Sequence, residues 1–370
     1  MKQNESFKED KRLMYEIGLY QWLSKWIEKE TNQITTMVNL VQKYRYEIKH
    51  DLEMIAYETF NNMHKDVKAH IYGSVATNLM LPESDMDIVI TGVNSYQCQQ
   101  SHKANISTLF EQICWLFDET VMPERKKILS TQVPIIKLKF NLSEYYDRCS
   151  QDDNKSLPYV NFESIDSMNP HLKQLSVDIS ISDDLNSTDH LGIQQSYYIN
   201  QKIKEYPVLR PVCLVLKKLL VNNGLNDPYT GGLGSFSLFL MLYLALSQEN
   251  LTSSQRFQGE STYLARLFSW FLHYFGETFN LEQQFIYFNN SGWPWVSQSL
   301  LFSFEGSLNK NLLCVYDPFN SSNNTAQKAF RIKDIFDCFK QAKDKITIEY
   351  SSMYRSKTIG EEDLLSKVIN

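Results

Sequence analysis

The segment YGSVATNLMLPESDMDIVI, residues 72–90, carries two acidic residues near its end, inside an apolar run. Residues i and i+2 of a β-strand project from the same face, so Asp85 and Asp87 are expected to stand side by side. Two ionised carboxylates on one face of a strand are close enough to repel and desolvate each other. A cation bound between them would offset this cost. Hard oxygen ligands on a strand suit Mg²⁺, or Mn²⁺ in its place. The sequence therefore predicts a divalent metal site at the start of this strand.

The beginning of the same stretch predicts a phosphate site. Gly73 and Ser74 follow a strand and open a short helical segment, VATNLML. A helix N-terminus offers free backbone N–H groups, Gly73 allows close approach, and Ser74 can donate from its hydroxyl. A lone D-x-D or Gly-Ser pair is common on solvated turns, whereas the order strand, Gly-Ser, short helix, Ser-Asp-x-Asp, strand is much more specific. Phosphate beside metal ions indicates a nucleoside triphosphate site.

The flanking segments predict a sheet between helical regions. Four segments rich in β-branched residues read as strands, namely AHIYGS, MDIVITG, VPIIKLKF and LSVDISIS, and a helix is expected over about residues 101–117. Residues 13–63 carry helical spacing, with a break expected near Thr31 and Asn32. The polar segment between Leu138 and Val177 has no period and is expected to be a functional loop, a partner-docking insertion or disordered. Helical patterns return after Asp184, over residues 193–204, 209–222, 235–248, 262–275 and 332–345.

The bulk composition limits the possible classes of protein. The chain has 370 residues, 43% of them hydrophobic, enough for two packed cores, and its net charge of -6 will not by itself attract a polyanion. Six cysteines without a C-x-x-C pair predict reduced thiols in an intracellular protein, in the nucleus or the cytoplasm. The longest apolar run, residues 233–246, is too short to cross a bilayer, so no membrane association is expected.

These motifs together resemble one family. Residues 72–90, VPIIKL, VDIS, the segment over residues 206–241 and YDPFNSSNNTAQKAFRIKDI are similar to the noncanonical poly(A) polymerases, in the same order along the chain. This family includes the TRAMP-type adenylyltransferases and the terminal uridylyltransferases, within the DNA polymerase beta-like nucleotidyltransferase superfamily. The resemblance implies an α+β fold: a nucleotidyltransferase sheet domain plus a mostly helical poly(A)-polymerase-like central domain. A cleft between the domains is then expected to bind the nucleotide and the RNA 3′ end.

The resemblance also implies a set of site residues. Asp178 in VDIS matches the family's third catalytic carboxylate, which would hold two metal ions together with Asp85 and Asp87. Further matching positions would bind the nucleotide: Lys217 and Ser235 on the triphosphate, Phe236 under the base, and Asp317 and Asn323 in a recognition turn at residues 316–327. From the residues alone, Lys217 could instead reach the surface beside Lys218, Phe236 could be ordinary core, and the turn could be a plain Asn-rich loop.

Asn323 bears on the choice of nucleotide. Relatives that prefer UTP carry a histidine at the matching position, whereas TRAMP-type adenylyltransferases carry asparagine, so ATP is favoured. An amide can present a donor and an acceptor to either base, so UTP stays open. Asn320 departs from the acidic residue that uridylyl enzymes have at the matching position. Leu191 and Gln327 also depart from the usual asparagine and arginine.

The predicted function is template-independent nucleotide addition to RNA 3′ ends. Because no RNA-binding module accompanies the core, a protein partner that supplies RNA is expected, such as a helicase, a polymerase or another RNA-processing factor. The alternatives are a uridylyltransferase, a catalytically weak scaffold subunit, and a transferase acting on small nucleotides. The predicted domains are as follows: a flexible N-terminus at 1–12, helices at 13–63 packing with the central domain, the catalytic domain at 64–185 with an insertion at about 141–172, the central domain at 186–350, and a tail at 351–370.

Overall fold

The computed structural model describes residues 2–61, 66–93, 102–131, 133–152, 155–164, 169–182, 190–248, 262–289, 291–298 and 313–356. The chain divides into two compact units. We call Asn32–Lys202 the sheet unit, and we call Met1–Thr31 together with Ile203–Asn370 the helical unit.

Helices and strands follow one another along the whole described chain. The helices are α1 (Lys2–Leu40), α2 (Gln42–Phe60), α3 (Gly73–Ala76), α4 (His102–Leu116), α5 (Leu142–Cys149), α6 (Leu191–Glu205), α7 (Leu209–Asn222), α8 (Ser235–Gln248), α9 (Tyr263–His273) and α10 (Ile332–Ser356). The strands are β1 (Lys68–Tyr72), β2 (Met86–Thr91), β3 (Glu124–Ile128), β4 (Ile135–Asn141), β5 (Gln174–Ile181), β6 (Phe285–Phe288) and β7 (Pro294–Ser297).

The sheet unit is built on a five-stranded mixed sheet. Its strand order is β1-β2-β5-β4-β3, and β2 and β5 are its parallel pair. Helices α2 and α4 pack on each other and on the sheet. Lys127 of β3 pairs with Glu111 of α4 at 3.7 Å, which places α4 on the face that also carries Ile136 of β4. The predicted α+β architecture is confirmed.

Alternation gives the sheet one apolar face, and a second face that is polar around Asp87 and Asp178 but buried farther along, at Val89 and Ser180. The apolar side chains are buried because the helices cover them: Met86, Ile88, Ile90, Ile136, Leu138, Phe140, Val177 and Ile179. The intervening residues project from the other face. One row across that face runs Tyr72, Asp87, Asp178, Lys137, Lys126, each opposite the next on neighbouring strands.

The helical unit has its own core around α8. Every residue of α8 from Ser237 to Leu246 is buried, as expected for a helix that is apolar all round. Helix α9 passes into a π-helical turn, Tyr274–Thr278, which packs against α10. Two segments escaped sequence analysis: the hairpin β6–β7, and β3, whose sequence ERKKI lacks apolar alternation.

The N-terminal helices differ from expectation in three ways. Helix α1 begins at Lys2 and continues through Thr31 and Asn32 to Leu40, because Thr31 is buried and the apolar face runs on from Ile27 to Ile34. The break falls at Val41, where the buried Arg45 donates from Nη1 to the carbonyl of Val38 at 2.9 Å. Only the part of α1 up to Thr31 groups with the helical unit, whereas α2 packs on β1, β2 and α4.

The predicted insertion at 141–172 contains ordered structure. Residues Leu142, Tyr145 and Cys149 form the buried side of α5, and the Tyr145 hydroxyl donates to Asp51 at 2.7 Å. Lys155 forms ion pairs with Asp51 and Glu47 of α2. These contacts anchor the segment to the sheet unit, which local polarity could not reveal. Residues 153–154 and 165–168 of this segment, and residues 357–370 of the predicted tail, lie outside the described residues.

A search of the described helices for a membrane span found no candidate with the required length and apolar character.

Candidate active site

The pairing of β2 with β5 brings two of the predicted catalytic residues together. Asp87 lies directly opposite Asp178 in the parallel ladder, on the polar face of the sheet. Asp85 immediately precedes β2 and is exposed, whereas Asp87 and Asp178 are half-buried. The buried neighbours Met86 and Val177 fix this register, since a slip of one residue would turn the carboxylates into the core.

A cation stands beside the third carboxylate. Lys137 lies opposite Asp178 on β4, and its Nζ donates to Asp178 Oδ2 at 2.5 Å. Asp85, Asp178 and Lys137 line one cavity of about 170 Å³, together with Glu124, Arg125, Lys126, Leu138, Lys139 and Ser176. The site therefore joins carboxylates to a cationic edge of the sheet.

The carboxylates share a face without forming a ready metal cage. Within the described ranges, no three or more His, Cys, Asp or Glu side chains are arranged to hold a metal ion. Adjacent carboxylates repel, and Lys137 offers Asp178 an opposite charge. The register therefore brings Asp87 and Asp178 to opposing positions, and the convergence of all three carboxylates on a metal ion stays a prediction.

The Gly-Ser turn differs from the predicted phosphate seat. Helix α3 has four residues, and the N–H of Gly73 donates to Ser196 Oγ of α6 at 2.9 Å, so this donor is already used. Gly73 has a φ of 68°, and a Cβ there would overlap the carboxylate of Asp87. Glycine is favoured here by the left-handed φ, and an added Cβ would also have to displace the Asp87 carboxylate. The role predicted for Ser74 stays a prediction.

Three predicted nucleotide-binding residues lie on two helices of the helical unit. Lys217 is buried on α7, with 7% of its surface exposed, so it does not reach the surface. Its neighbour Lys218 does so and pairs with Glu30. Burial raises the pKa of the Cys213 thiol, one turn before Lys217, to about 12, which indicates a poorly solvated environment. At the start of α8, Ser235 is exposed and Phe236 half-buried, which places Phe236 outside the full core.

The predicted recognition turn is ordered by internal hydrogen bonds. Asp317 is 3% exposed, and its two carboxylate oxygens accept from the backbone N–H of Phe319 at 2.9 Å and from Asn323 Nδ2 at 3.2 Å. A carboxylate oxygen can only accept here, so the Asn323 amide must turn its nitrogen towards Asp317. Thr325 ties the turn to α8, because its hydroxyl bonds that of Ser237 at 3.0 Å. The turn is therefore ordered by its own hydrogen bonds, and its role in nucleotide recognition stays a prediction.

Comparisons with known proteins agree with this geometry. Residues 23–201 match the family model "Poly(A) RNA polymerase, mitochondrial-like, central palm domain", and residues 263–323 match "Cid1 family poly A polymerase". The chain belongs to the noncanonical poly(A) polymerase family.

Relatives in this family are distant in sequence. Poly(A) RNA polymerase protein 1 of Saccharomyces cerevisiae is 24% identical over 84% of this chain and 42% of its own length. Poly(A) RNA polymerase protein 2 of the same yeast is 23% identical over 88% and 48%. The chain thus spans about half the length of the curated relatives it matches.

Solved structures share the fold over nearly the whole chain. The polymerase core of TRAMP, an RNA surveillance complex, superposes with a TM-score of 0.66 at 22% identity and covers 94% of this chain and 95% of its own. A cytoplasmic RNA terminal U-transferase gives 0.61 at 15% identity over 94% and 97%.

Two polar residues that contact the candidate site residues were missed by sequence reasoning. Lys137 lay within the family-like VPIIKL segment, and its place in the alternation two residues before Lys139 puts it on the same face as the carboxylates. Ser196 gave no local signal, because its partner Gly73 lies 123 residues earlier in the chain.

Proposed function

We propose that the protein is a template-independent nucleotidyltransferase that adds nucleotides to RNA 3′ ends, with ATP as the favoured donor. The observation that carries the proposal is the register of the sheet: Asp87 lies opposite Asp178, and Asp85 precedes Asp87 by two residues. Carboxylates on adjacent strands and at i, i+2 on one face are the donor set that divalent-metal phosphoryl transfer requires. Family membership supports the same reaction class.

Asp85, Asp87 and Asp178 would hold Mg²⁺ or Mn²⁺, for which three hard oxygen donors are chemically suited. Such ions, when bound, lower the pKa of an attacking hydroxyl and neutralise the charge of a leaving pyrophosphate. We assign Asp178 the further role of accepting, on a carboxylate oxygen, the proton of the RNA 3′-hydroxyl. The oxygen of that hydroxyl then bonds to the α-phosphorus, and pyrophosphate leaves.

The helical unit supplies the proposed contacts to the nucleotide. The buried ammonium of Lys217 and the exposed hydroxyl of Ser235 suit a triphosphate, and the half-buried ring of Phe236 suits the face of a base. Ser74 would add a hydroxyl donor from the sheet unit. A protein partner that delivers RNA fits a chain whose net charge is -6.

The preference for ATP rests on Asn323. Its Nδ2 donates to Asp317, so its Oδ1 is the atom turned away from that buried carboxylate. A carbonyl oxygen accepts from an amino group, which adenine carries at N6 and uracil lacks at the matching O4. The second hydrogen of Nδ2 could still donate to a uracil oxygen, which keeps UTP as the second candidate.

The deciding experiment supplies each of the four nucleoside triphosphates separately, with a labelled oligoribonucleotide and the purified protein. We expect mainly adenosine to be added, and no addition by the Asp85→Ala, Asp87→Ala double variant. Full tailing by the double variant would refute the metal assignment, and mainly uridine addition would make the protein a uridylyltransferase.

A scaffold role is the third candidate. The pairing of Asp178 with Lys137, and the lack of a ready metal cage within the described ranges, are the observations that favour it. In that case the wild-type protein would add none of the four nucleotides at any Mg²⁺ or Mn²⁺ concentration, and copurified partners would not restore addition.

A further inference from the structure

Two aromatic rings stand out from the surface of the helical unit. Tyr229 is 71% exposed and Phe330 is 64% exposed. Both lie in turns, outside the apolar faces of the helices, and neither ring gains much burial from folding. Leaving rings of this size in water forgoes roughly 25 cal/mol of stabilisation for each Å² of apolar surface, so two together call for a ligand.

Backbone contacts order the two turns that carry these rings. Asp227 Oδ1 accepts from the N–H of Tyr229 at 2.9 Å and fixes the short 3₁₀ turn Pro228–Thr230. Gly231 follows with a φ of 88°, and a Cβ there would overlap the ring of Phe330. The N–H of Arg331 donates to the Gly231 carbonyl at 3.0 Å. The rings are therefore pre-organised on backbone, which lowers the entropic cost of binding a ligand.

A cation accompanies the rings. Lys328 Nζ lies 5.1 Å from the centroid of the Tyr229 ring, and its side chain is exposed. In the described part of the chain, no carboxylate lies within ion-pair distance of Lys328. The nearby acids are engaged, Asp227 with the Tyr229 N–H and Asp334 with Arg331. An exposed cation beside exposed rings fits a ligand that combines phosphates with flat bases.

The surface is continuous with the elements to which we assign nucleotide recognition. Tyr229 and Gly231 lie just before α8, which begins with Ser235, and Lys328 and Phe330 directly follow the recognition turn at 316–327. The bond from Ser237 to Thr325 joins the same two segments. A base stacked here belongs to the same ligand chemistry as the proposed reaction.

We propose that Tyr229, Lys328 and Phe330 form a stacking surface for single-stranded RNA. This inference rests on the proposed function, since it assigns the surface to the RNA acceptor or its growing tail. Stacking on a ring does not select one base, because every base has a π-face. The surface thus contributes affinity for RNA, and the choice of nucleotide stays with the recognition turn.

The test measures equilibrium binding of a fluorescein-labelled oligoadenylate of about 12 nucleotides by anisotropy, without nucleoside triphosphate, in the Asp85→Ala, Asp87→Ala background. An oligomer of the same length with abasic sugars is titrated in parallel. We expect Tyr229→Ala and Phe330→Ala each to raise the Kd for oligoadenylate by about 5-fold or more, and to leave the Kd for the abasic oligomer within about twofold. Lys328→Gln is expected to lower the slope of log Kd against log salt by about 0.7.

Matched controls separate stacking from loss of fold. Tyr229→Phe keeps the ring and is expected to bind as the wild type does. Trp115→Ala removes a still more exposed ring, 83% exposed, from the sheet unit, and is expected to change neither Kd. Equal Kd values for the wild type and both ring variants would overturn the inference and leave the surface to a protein partner. An equal loss for the abasic oligomer would also overturn it. The assay needs no catalysis, so the two proposals can fail separately. If the wild-type protein had no tailing activity but its RNA binding still depended on the rings, only the proposed function would be refuted.

Discussion

The two faces of the five-stranded sheet use the same strands for opposite purposes. On the face covered by α2 and α4, Met86, Ile88, Val177 and Ile179 of the central strands are at most 1% exposed. On the other face, Asp87 and Asp178 lie between them in the same strands. The apolar face fixes the pairing register, and the register places the carboxylates, so stability and chemistry are separated by one residue along the strand. This separation can be tested by changing one face at a time.

The largest effect is expected on the polar face. Asp178→Asn removes one charge from the proposed metal-binding set, and we expect the tailing rate to fall by roughly 10³-fold or more. The free energy of unfolding should change by less than about 1 kcal/mol, because the ion pair with Lys137 is partly exposed. Single-turnover tailing and denaturant unfolding measure the two quantities. A variant that unfolds more easily and tails normally would show that Asp178 serves structure.

The covered face should respond in the opposite way. Ile88 is fully buried and lies opposite Ile179, so Ile88→Ala removes packing from the centre of the sheet. We expect the free energy of unfolding to fall by about 2–5 kcal/mol, with Ile88→Val losing about 0.5–1.5 kcal/mol. Measured below the unfolding transition, the tailing rate of each folded molecule should stay within about twofold of the wild type. A loss of activity as large as that of Asp178→Asn would mean that the two faces are not separable.

A substitution at Gly73 is expected to affect both stability and activity. Gly73→Ala combines a left-handed φ with overlap of the Asp87 carboxylate, so both stability and activity should fall. The matched control is Gly224→Ala, where φ is 62° and no heavy atom lies within 4 Å of the added Cβ. The control should lose about 1–2 kcal/mol of unfolding free energy through the backbone alone and keep its activity. If both variants lose the same stability and both keep activity, Asp87 does not depend on the close approach of Gly73.

The sequence predicts a strand and its two faces where the pattern of apolar and polar residues lies within the strand itself. Strand β5 alternates apolar and polar residues and β2 is an apolar run interrupted by Asp87, so both strands could be predicted and the i, i+2 spacing assigned the carboxylates to one face. Strand β3 was missed because its residues are charged on both faces: Arg125 and Lys127 neutralise Glu119 and Glu111 on the covered side. Its identity as a strand depends on pairing with β4, which is tertiary information.

Contacts between distant segments account for the other differences. The bond from Gly73 to Ser196 joins the start of α3 to α6, and Lys155 reaches α2 across about a hundred residues of chain. Neither has a periodic signal. The break at Val41 likewise depends on the buried Arg45, whereas Thr31 and Asn32 only have weak helix propensity, which packing overrides.

The smallest predicted effect concerns the cation on the polar face. Lys137 would compete with a metal ion held by Asp178, because its Nζ already donates to one oxygen of that carboxylate. Lys137→Met removes a positive charge next to the proposed metal site, and at the partly solvated surface that charge opposes ion binding by roughly 1 kcal/mol, or about fivefold in affinity. We therefore expect Mn²⁺, titrated by electron paramagnetic resonance in the absence of nucleotide and RNA, to bind the variant more tightly.

Lys126→Met is the matched control, because Lys126 lies on the same face one strand farther from Asp178, where solvent and salt screen its charge. Weaker Mn²⁺ binding by Lys137→Met than by the wild type would mean that Lys137 orients Asp178 for the metal and does not compete with it.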